Sequence, residues 1–294
     1  MSAQAAYGFV GLGNMGGPMA ANLARSGAEL VVFDKAGTAA RAPAGARAAG
    51  STTEVSAAAE TVFLSLPDGP AVLTVLEEIG TSPGRVTRAV VDLSTIGIEA
   101  ARRASDRALD AGLAYVDAPV SGGRSGAIDA TISIMWAGPA ELLDSHRPAL
   151  DAIAKHVFHV GTEAGQGQAL KLLNNFLSAT ATAATGEAVL FGLSQGLDMK
   201  MVLDVVNVST GRSHASADKY VKRVLSGTFD SGFATRLMAK DVRLFSEAAT
   251  AAGTPHAIGA TVRALWDATE EHLPDSDHTE VFAFLRDSRG MSLD

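Results

Sequence analysis

The ten residues from Tyr7 to Gly16 constrain the fold of this chain more than any other stretch of its sequence. They read YGFVGLGNMG, so a short apolar, β-prone run is followed at once by glycines with the spacing G-x-G-x-x-G. Apolar residues then recur with helical spacing from Met19 to Ala24. The pattern predicts a buried strand, a tight turn and a helix that packs back on the strand.

The glycines of such a turn have separate roles. Gly11 permits the sharp turn, Gly13 lets a pyrophosphate approach the backbone, and Gly16 lets the helix pack closely on its strand. The N–H groups at the start of the helix then face the anion. A second predicted strand ends in Asp34, about 20 residues farther on, where a ribose-binding acid belongs. We therefore predict a dinucleotide site formed by Asp34 and by the turn residues Gly11, Leu12, Gly13, Asn14, Met15 and Gly16. The alternative is a glycine-rich turn without a ligand.

Strand-like and helix-like segments alternate along the first half of the chain. The clearest strands are predicted at 61–66, 89–93 and 113–117, and the stretch 39–59 is predicted to hold a helix, a short strand near Arg47 and a second helix. Such alternation is typical of a mostly parallel sheet with helices on both faces. We predict an α/β dinucleotide-binding domain over residues 1–162.

The composition changes after this region. From Ala164 to Gln195 the chain has no proline, and Gly196 is a suitable helix C-cap. A single helix of roughly 30 residues, at ~1.5 Å per residue, would be about 45 Å long. We predict an all-helical second domain over residues 163–294, built on this long interdomain helix.

Composition also narrows the function. The 294 residues carry a net charge of −8, with no long basic run and no cysteine. Disulfides, thiolate metal sites and cysteine nucleophiles are thereby excluded, and a nucleic-acid surface is not expected. The seven histidines show no metal-site pattern, and we find neither a signal peptide nor an apolar run of about 20 residues. We expect a soluble, cytoplasmic protein without membrane or nucleic-acid partners.

Two candidate cofactor contacts follow predicted strands, because ligands of open α/β sheets bind beyond the carboxyl ends of the strands. Leu66 and Pro67 offer an apolar wall and a fixed turn, although the same pair is an ordinary strand terminator. The hydroxyl of Thr95 is placed to bind a cofactor. It is equally suited to cap the helix that follows, and the two roles are compatible.

Ser121, Gly122 and Gly123 follow another predicted strand. Consecutive small residues expose successive backbone N–H groups, and such a concave arrangement binds small anions. We interpret this segment as a site for a substrate carboxylate; the alternative is a flexible loop between strands.

Lys171 is the strongest catalytic candidate. It lies among leucines near the start of the long helix, and Asn175 follows four residues later on the same face. Burial lowers the pKa of a lysine, which then exchanges a proton near neutral pH. The alternative is a snorkelling lysine. Lys240 is a candidate for the nicotinamide ribose or a substrate carboxylate, with a surface ion pair as its alternative.

Taken together, these segments resemble the β-hydroxyacid dehydrogenase family. The motifs occur in the family's order along nearly the whole chain: Gly11–Gly16 with Met19, Asn22 and Leu23; Leu66–Pro67; Asp92–Ile96; Asp117–Gly123 with Gly126 and Ala127; Gly165–Lys171 with Asn174 and Asn175; and Lys240–Asp241. The resemblance implies Lys171 as the catalytic lysine, Ser121 to Gly123 and Asn175 as substrate contacts, and Thr95 and Lys240 as cofactor contacts. It also implies that the first domain is of the Rossmann type and that the protein is a homodimer or homotetramer.

The expected activity is reversible oxidation of a small 3-hydroxy acid with a nicotinamide cofactor. Relatives that prefer NADP carry Asn-Arg-Thr after the second strand, whereas this chain has Asp34-Lys35-Ala36. The Asp34 carboxylate repels a 2′-phosphate, so NAD is favoured, while Lys35 leaves NADP possible. The alternatives are reduction of a related semialdehyde, such as tartronate semialdehyde or sulfolactaldehyde, and a non-catalytic dinucleotide-binding module.

Overall fold

A computed structural model describes residues 7–288 of the chain. The chain divides into two compact units, Met1–Lys171 and Leu172–Asp294. One helix, Gln166–Ser194, runs through the division. The domain limits of 1–162 and 163–294 stay a prediction.

The first unit alternates strands and helices as its sequence predicts. Its elements are β1 (Tyr7–Val10), α1 (Gly16–Arg25), β2 (Leu30–Phe33), β3 (Arg47–Ala48), α2 (Thr52–Ser56), β4 (Thr61–Leu64), α3 (Gly69–Gly80), β5 (Ala89–Asp92), α4 (Ile98–Asp110), β6 (Ala114–Asp117), β7 (Val120–Ser121), α5 (Gly123–Ile128), β8 (Ile132–Ala137), α6 (Ala140–Ile153) and β9 (Ala154–Gly161).

The strands form one sheet with the order β3-β2-β1-β4-β5-β6-β8-β7, and β9 also pairs with β8. Only the pairings of β8 with β6 and with β7 are antiparallel among the described strands. The predicted mostly parallel sheet is therefore confirmed. The chain moves outward from β1 to β3 and then returns to β4 on the other side of β1. The strand order thus reverses between β1 and β4, the point where open α/β sheets bind ligands.

Register places the ends of the central strands side by side. Val10 pairs with both Phe33 and Leu64, Leu64 pairs with Asp92, and Asp92 pairs with Asp117. The segments that follow these five residues therefore share one edge of the sheet. That edge carries most of the candidate site residues of the first unit.

Successive residues of each strand face opposite sides of the sheet, because the side-chain period of a strand is two. Phe9 belongs to one buried cluster with Met19 and Trp136, whereas Val10 belongs to a second with Val72. Apolar side chains thus fill both faces of the sheet, and burying a large one contributes roughly 1.5–3 kcal/mol.

The prediction of a helix at the start of the 39–59 stretch is wrong. Residues 39–46, all of which the structure describes, form turns, and only β3 and α2 follow the prediction. Pro43 lacks a backbone N–H, and Gly45 has a φ of +87°, so the alanine-rich composition there does not produce a helix. The amide N–H groups of Arg41 and Ala42 both bond to the Thr38 carbonyl, which closes a single turn.

The second unit is helical, as predicted. Its described helices are the greater part of α7 (Gln166–Ser194), α8 (Met199–Asn207), a π-helical segment (Ala215–Val224), α9 (Thr235–Ala251), α10 (Ala257–His272), a short 3-10 turn (His278–Glu280) and α11 (Val281–Asp287). Gly196 follows the end of α7 with a φ of +81°, and its N–H bonds to the Leu193 carbonyl. It is the C-cap that the sequence predicted.

Helix α7 is also long and apolar enough, by length and composition, to be a candidate membrane span among the described residues, a test that the core helix of a soluble protein also passes. The sequence prediction that no such segment exists missed it, because asparagine, serine and threonine interrupt its apolar residues. In this unit Ala179 of α7 is completely buried, in one cluster with Trp266 and Met238.

Candidate active site

The glycine turn at the end of β1 is closely packed at two positions and open at the third. A Cβ atom on Gly11, whose φ is +94°, would lie 2.2 Å from the carbonyl oxygen of Ser65, and one on Gly16 would lie 1.9 Å from that of Gly11. A Cβ on Gly13 would meet no atom within 4 Å. The turn therefore requires glycine at its two ends and leaves space in front of Gly13 and the start of α1 for an anion.

Asp34 lies directly after β2 and is bound to this turn. Its Oδ2 accepts a 2.6 Å hydrogen bond from the Leu12 N–H, and its Oδ1 accepts one of 2.8 Å from the Ala36 N–H. Arg41 places its Nε 3.8 Å from the same Oδ1. An open cavity of ≈ 460 Å³ beside the carboxylate is lined by the residues Phe33–Lys35, Gly37–Ala39 and Ala48–Gly50.

The loop after β5 supports the loop after β4. The Ser94 hydroxyl accepts a 2.8 Å hydrogen bond from the Leu66 N–H, and the Ser94 N–H donates to Asp92. Leu66 and Thr95 are half-buried and Pro67 is exposed. The segments that carry these three predicted cofactor contacts are therefore adjacent.

The Ser121–Gly123 segment is more ordered than a loop. Ser121 ends β7, Gly122 has a φ of +141° that favours glycine, and Gly123 begins the short helix α5. The Asn22 side chain of α1 donates a 2.7 Å hydrogen bond to the carbonyl of Ala127 in α5. The segment is thereby tied to the helix that follows the glycine turn.

The first turn of α7 is anchored to the same sheet edge. Oδ2 of Asp117 accepts hydrogen bonds from the backbone N–H groups of Gly165 (2.9 Å) and Gln168 (3.0 Å), and Oδ1 accepts one from the Gln168 side chain (2.7 Å). The same Gln168 side chain accepts hydrogen bonds from Ile96 N–H and Gly97 N–H through Oε1. Lys171 lies one turn farther along and is only 8% exposed.

Buried acidic groups underlie this anchor. Burial raises the pKa of Asp117 to about 6, and the hydrogen bonds from Gln168 and Gly165 oppose that rise. The neighbouring charge of Asp92 raises the pKa further. The Tyr115 hydroxyl donates a 2.8 Å hydrogen bond to Asp92, and burial raises the pKa of that hydroxyl far above its ordinary value.

In the second unit, Asn175 and Lys240 share one partner. The Asn175 side chain donates a 2.5 Å hydrogen bond to Oδ2 of Asp241, and the Lys240 amine lies 3.3 Å from Oδ1. Asp241 is almost fully buried. The pair Lys240–Asp241 is therefore not the solvated surface pair that was the alternative interpretation.

Comparison with known proteins identifies the family. Residues 6–161 match the model described as the NAD binding domain of 6-phosphogluconate dehydrogenase, and residues 165–285 match the one described as the NAD-binding domain of NADP-dependent 3-hydroxyisobutyrate dehydrogenase. The chain is 36% identical over 252 residues to the 2-(hydroxymethyl)glutarate dehydrogenase of Eubacterium barkeri, covering 84% of this chain and 83% of that protein. The chain belongs to the β-hydroxyacid dehydrogenase family.

Two further members support the assignment. The 3-hydroxyisobutyrate dehydrogenase of Pseudomonas aeruginosa is 36% identical over 268 residues, covering 88% of this chain and 90% of that protein. The structure of Mycobacterium tuberculosis 3-hydroxyisobutyrate dehydrogenase with L-serine superposes with a TM-score of 0.88 and 31% identity, covering 97% of this chain and all of that one. This chain is therefore an NAD-dependent oxidoreductase that acts on the CH–OH group of a 3-hydroxy acid.

The first unit of this dehydrogenase fits a dinucleotide. A Cβ on Gly13 would meet no atom within 4 Å and an open cavity of ≈ 460 Å³ lies beside Asp34, so both places leave room for parts of a dinucleotide. Among residues 7–288 no three His, Cys, Asp or Glu side chains are grouped to hold a metal ion.

Sequence reasoning missed the buried polar residues behind the dehydrogenase's site. Asp117 and Gln168 lie inside motifs that the sequence analysis named, and the available signals were an acid at a strand end and an amide one turn before Lys171.

The sequence analysis also missed Lys219, whose amine donates hydrogen bonds to the hydroxyls of Ser178 (2.8 Å) and Thr182 (3.1 Å). Burial lowers the pKa of Lys219 to about 8. Nothing in its polar sequence context indicated burial.

Four other large side chains lie either in the core or on the surface. Trp136 is buried in the core of the first unit and Met238 in that of the second. Arg212 and His214 are exposed and line an open cavity of ≈ 550 Å³ in the second unit together with Ser213, Ala217 and Asp218.

Proposed function

We propose that this dehydrogenase oxidises a small 3-hydroxy acid of the 3-hydroxyisobutyrate type, with Lys171 as the residue that accepts the hydroxyl proton. The observation that carries the proposal is the burial of Lys171 one turn beyond the start of α7, which is hydrogen-bonded to the loop after β5 and to the end of β6. A lysine held there lies at the edge of the sheet where open α/β sheets bind their ligands. An amine with little solvent around it exchanges protons with a substrate rather than with water.

Each remaining residue has a proposed task. The backbone N–H groups of Ser121 to Gly123 bind the substrate carboxylate, and Asn175 orients the hydroxyl or the Lys171 amine. The bound nicotinamide supplies the carbon that accepts hydride, so the protein itself needs to move only the proton. Lys171 takes that proton during oxidation and returns it during reduction, and orientation of the two groups contributes much of the rate.

We propose NAD as the preferred cofactor. Asp34 has one lone-pair position left on each oxygen after its bonds to Leu12 and Ala36, enough to accept ribose hydroxyls. Its charge opposes a 2′-phosphate, whereas Arg41 and Lys35 nearby reduce that opposition. Leu66, Pro67, Thr95 and Lys240 are proposed as the further cofactor contacts.

The names of the relatives suggest the common part of the substrate. In 3-hydroxyisobutyrate, L-serine and 2-(hydroxymethyl)glutarate, a CH2OH group is attached directly to the carbon that bears a carboxylate. The three molecules differ in the other substituent on that carbon. We propose that this chain requires the same HOCH2–CH–COO⁻ unit, which places the carboxylate and the reacting hydroxyl at a fixed separation.

A substrate panel tests this proposal. 3-Hydroxypropionate, both enantiomers of 3-hydroxyisobutyrate and of serine, and 2-(hydroxymethyl)glutarate are assayed with NAD⁺ and NADP⁺ by cofactor absorbance, with lactate as the control. We expect turnover of at least one 3-hydroxy acid, none of lactate, and a higher kcat/KM with NAD⁺. Turnover confined to lactate, or turnover of none of these 3-hydroxy acids, would contradict the proposal.

We also propose a cytoplasmic homodimer or homotetramer. Helix α7 exposes Leu173, Leu177 and Phe191 in the second unit, with Phe191 69% exposed, and a second copy of the chain is the proposed cover. Light scattering of detergent-free protein is the test. A monomer in solution would contradict the oligomer, and a requirement for detergent would contradict the cytoplasmic assignment.

A further inference from the structure

We infer that the Asp117–Gln168 side-chain pair positions Lys171, and that both are positioning residues for the proton transfer. The inference rests on the proposed role of Lys171 and extends it to residues that would touch neither substrate nor cofactor. It is carried by hydrogen bonds inside the first unit, all between buried groups.

Asp117 caps helix α7 from a different part of the chain. The first N–H groups of a helix have no partner within the helix, and a carboxylate there satisfies them and interacts favourably with the helix dipole. Asp117 accepts two of these bonds, from Gly165 and Gln168, although it precedes them by 48 and 51 residues. The end of β6 therefore fixes where α7 begins.

Gln168 connects this cap to the loop after β5. Its Nε2 donates to Asp117 (2.7 Å) and to the Ser94 carbonyl (3.0 Å), while its Oε1 accepts from Ile96 (2.9 Å) and Gly97 (3.1 Å). Both donor hydrogens and both acceptor positions of the amide are thus used, and its side chain is completely buried. The Gln168 side chain therefore connects three elements: the loop after β5 that contains Thr95, the end of β6, and helix α7, which carries Lys171.

Close packing holds the same turn in place. A Cβ on Gly167 would lie 2.7 Å from the carbonyl oxygen of Met135 in β8 and 2.8 Å from that of Asp117 at the end of β6, so the helix backbone lies directly against these two strands. With its first turn fixed in translation by Asp117 and in rotation by Gln168, α7 presents Lys171 in one position. A displacement of about 1 Å of a catalytic group costs on the order of 100-fold in rate.

An exchange of the two functional groups tests the inference. Gln168→Glu places two carboxylates together and loses the 2.7 Å bond. Asp117→Asn has a single oxygen, which cannot accept both from the backbone N–H groups and from Gln168; when that oxygen keeps the helix cap, the new NH2 group faces the Gln168 NH2 group and the 2.7 Å bond is lost. The double variant Asp117→Asn/Gln168→Glu restores the bond between the two side chains with donor and acceptor reversed, whereas the bond to the Ser94 carbonyl stays lost, as it is in Gln168→Glu. We expect each single variant to lose at least tenfold in kcat with an NADH dissociation constant within threefold of wild type, and the double variant to regain at least tenfold over the worse single variant.

Thr87→Val is the matched control. Thr87 is also buried, and its hydroxyl donates to the carbonyls of Ser56 and Ala59 at the opposite, amino end of β5. It should lower the melting temperature and leave kcat unchanged. If the folded single variants keep wild-type kcat, or the folded double variant recovers none of the loss, the inference is wrong. Should Asp117→Asn fail to fold, Gln168→Glu against the double variant decides by the same criteria.

Lys171→Ala separates this inference from the proposed function. If Lys171→Ala retains turnover, the proposed function itself fails. If Lys171→Ala is inactive while Gln168→Glu has wild-type kcat, the proposed function stands and only the positioning role fails.

Discussion

The Asp34 carboxylate accepts a 2.6 Å hydrogen bond from the backbone N–H of Leu12, which joins the end of β2 to the glycine turn after β1. This contact holds the proposed ribose-binding acid beside the proposed pyrophosphate site. The Asp34 carboxylate therefore has two roles: its hydrogen bond holds the turn in place, and its negative charge acts on the cofactor. A substitution that keeps the hydrogen bond and removes the charge separates them.

Asp34→Asn should change cofactor preference while leaving the fold intact. Its carbonyl oxygen still accepts the Leu12 N–H, but the charge that opposes a 2′-phosphate is gone. We expect kcat/KM with NAD⁺ to fall about tenfold, equivalent to ~1.4 kcal/mol, and kcat/KM with NADP⁺ to rise. An unchanged ratio of the two values would show that Asp34 does not select the cofactor.

Two glycines of the turn should respond differently to alanine. Gly13→Ala meets no protein atom within 4 Å, so we expect an unchanged melting temperature and an increased KM for NAD⁺. Gly16→Ala places a Cβ 1.9 Å from the Gly11 carbonyl, so it should lower the melting temperature. Thermal melts and initial rates on both variants check this, and equal melting temperatures for the two variants would contradict it.

The glycine spacing and the strand–helix alternation were enough to predict the sheet, the turn and the long helix. These depend on local chemistry, namely backbone freedom at glycine and the burial period of each element. The wrong prediction of a helix at residues 39–46 also has a local cause, because Pro43 and Gly45 outweigh the helix propensity of the alanines.

The bonds made by Asp117 and Gln168 were not predictable in the same way. Their partners lie 48 to 74 residues away along the chain, so only the register of the sheet brings them together. The burial of Lys219 in the second unit could not be predicted from sequence either, because its hydroxyl partners come from α7, about 40 residues earlier in the chain. Sequence thus indicated the proposed contacts of the site but not the polar groups that support them.

Stability should depend on the ionisation of Asp117. Its pKa is about 6 in the native state against 3.8 ordinarily, so between these values the native state binds more protons than the unfolded state. Asp117 therefore contributes a free energy of unfolding that decreases as pH rises from about 4 to 6, by up to ~3 kcal/mol. Denaturant melts of wild type and Asp117→Asn across this range should show that contribution only in wild type. If the free energies of unfolding of the two proteins change in parallel with pH, the argument is wrong.

Lys219→Met should stabilise the protein at neutral pH. Burial lowers the pKa of this amine to about 8, so charging it below that pH costs free energy that a methionine of similar volume avoids. The Thr182 hydroxyl keeps its bond to the Ser178 carbonyl. We expect a gain of about 1–3 kcal/mol at pH 7 that shrinks between pH 8 and 10.5, where the unfolded lysine binds a proton that the native one does not. Urea melts at these pH values measure it, and a destabilised variant at pH 7 would contradict the argument.

The central claim, that Lys171 carries the proton, is tested most directly by measuring kcat and the NADH dissociation constant of Lys171→Ala, with Lys219→Met as a matched buried-lysine control. We predict a loss of kcat of about 10²–10⁴-fold, the usual contribution of a general acid or base. The NADH dissociation constant should stay within threefold of wild type, and the control should keep wild-type kcat. Turnover by folded Lys171→Ala at the wild-type rate would contradict the account.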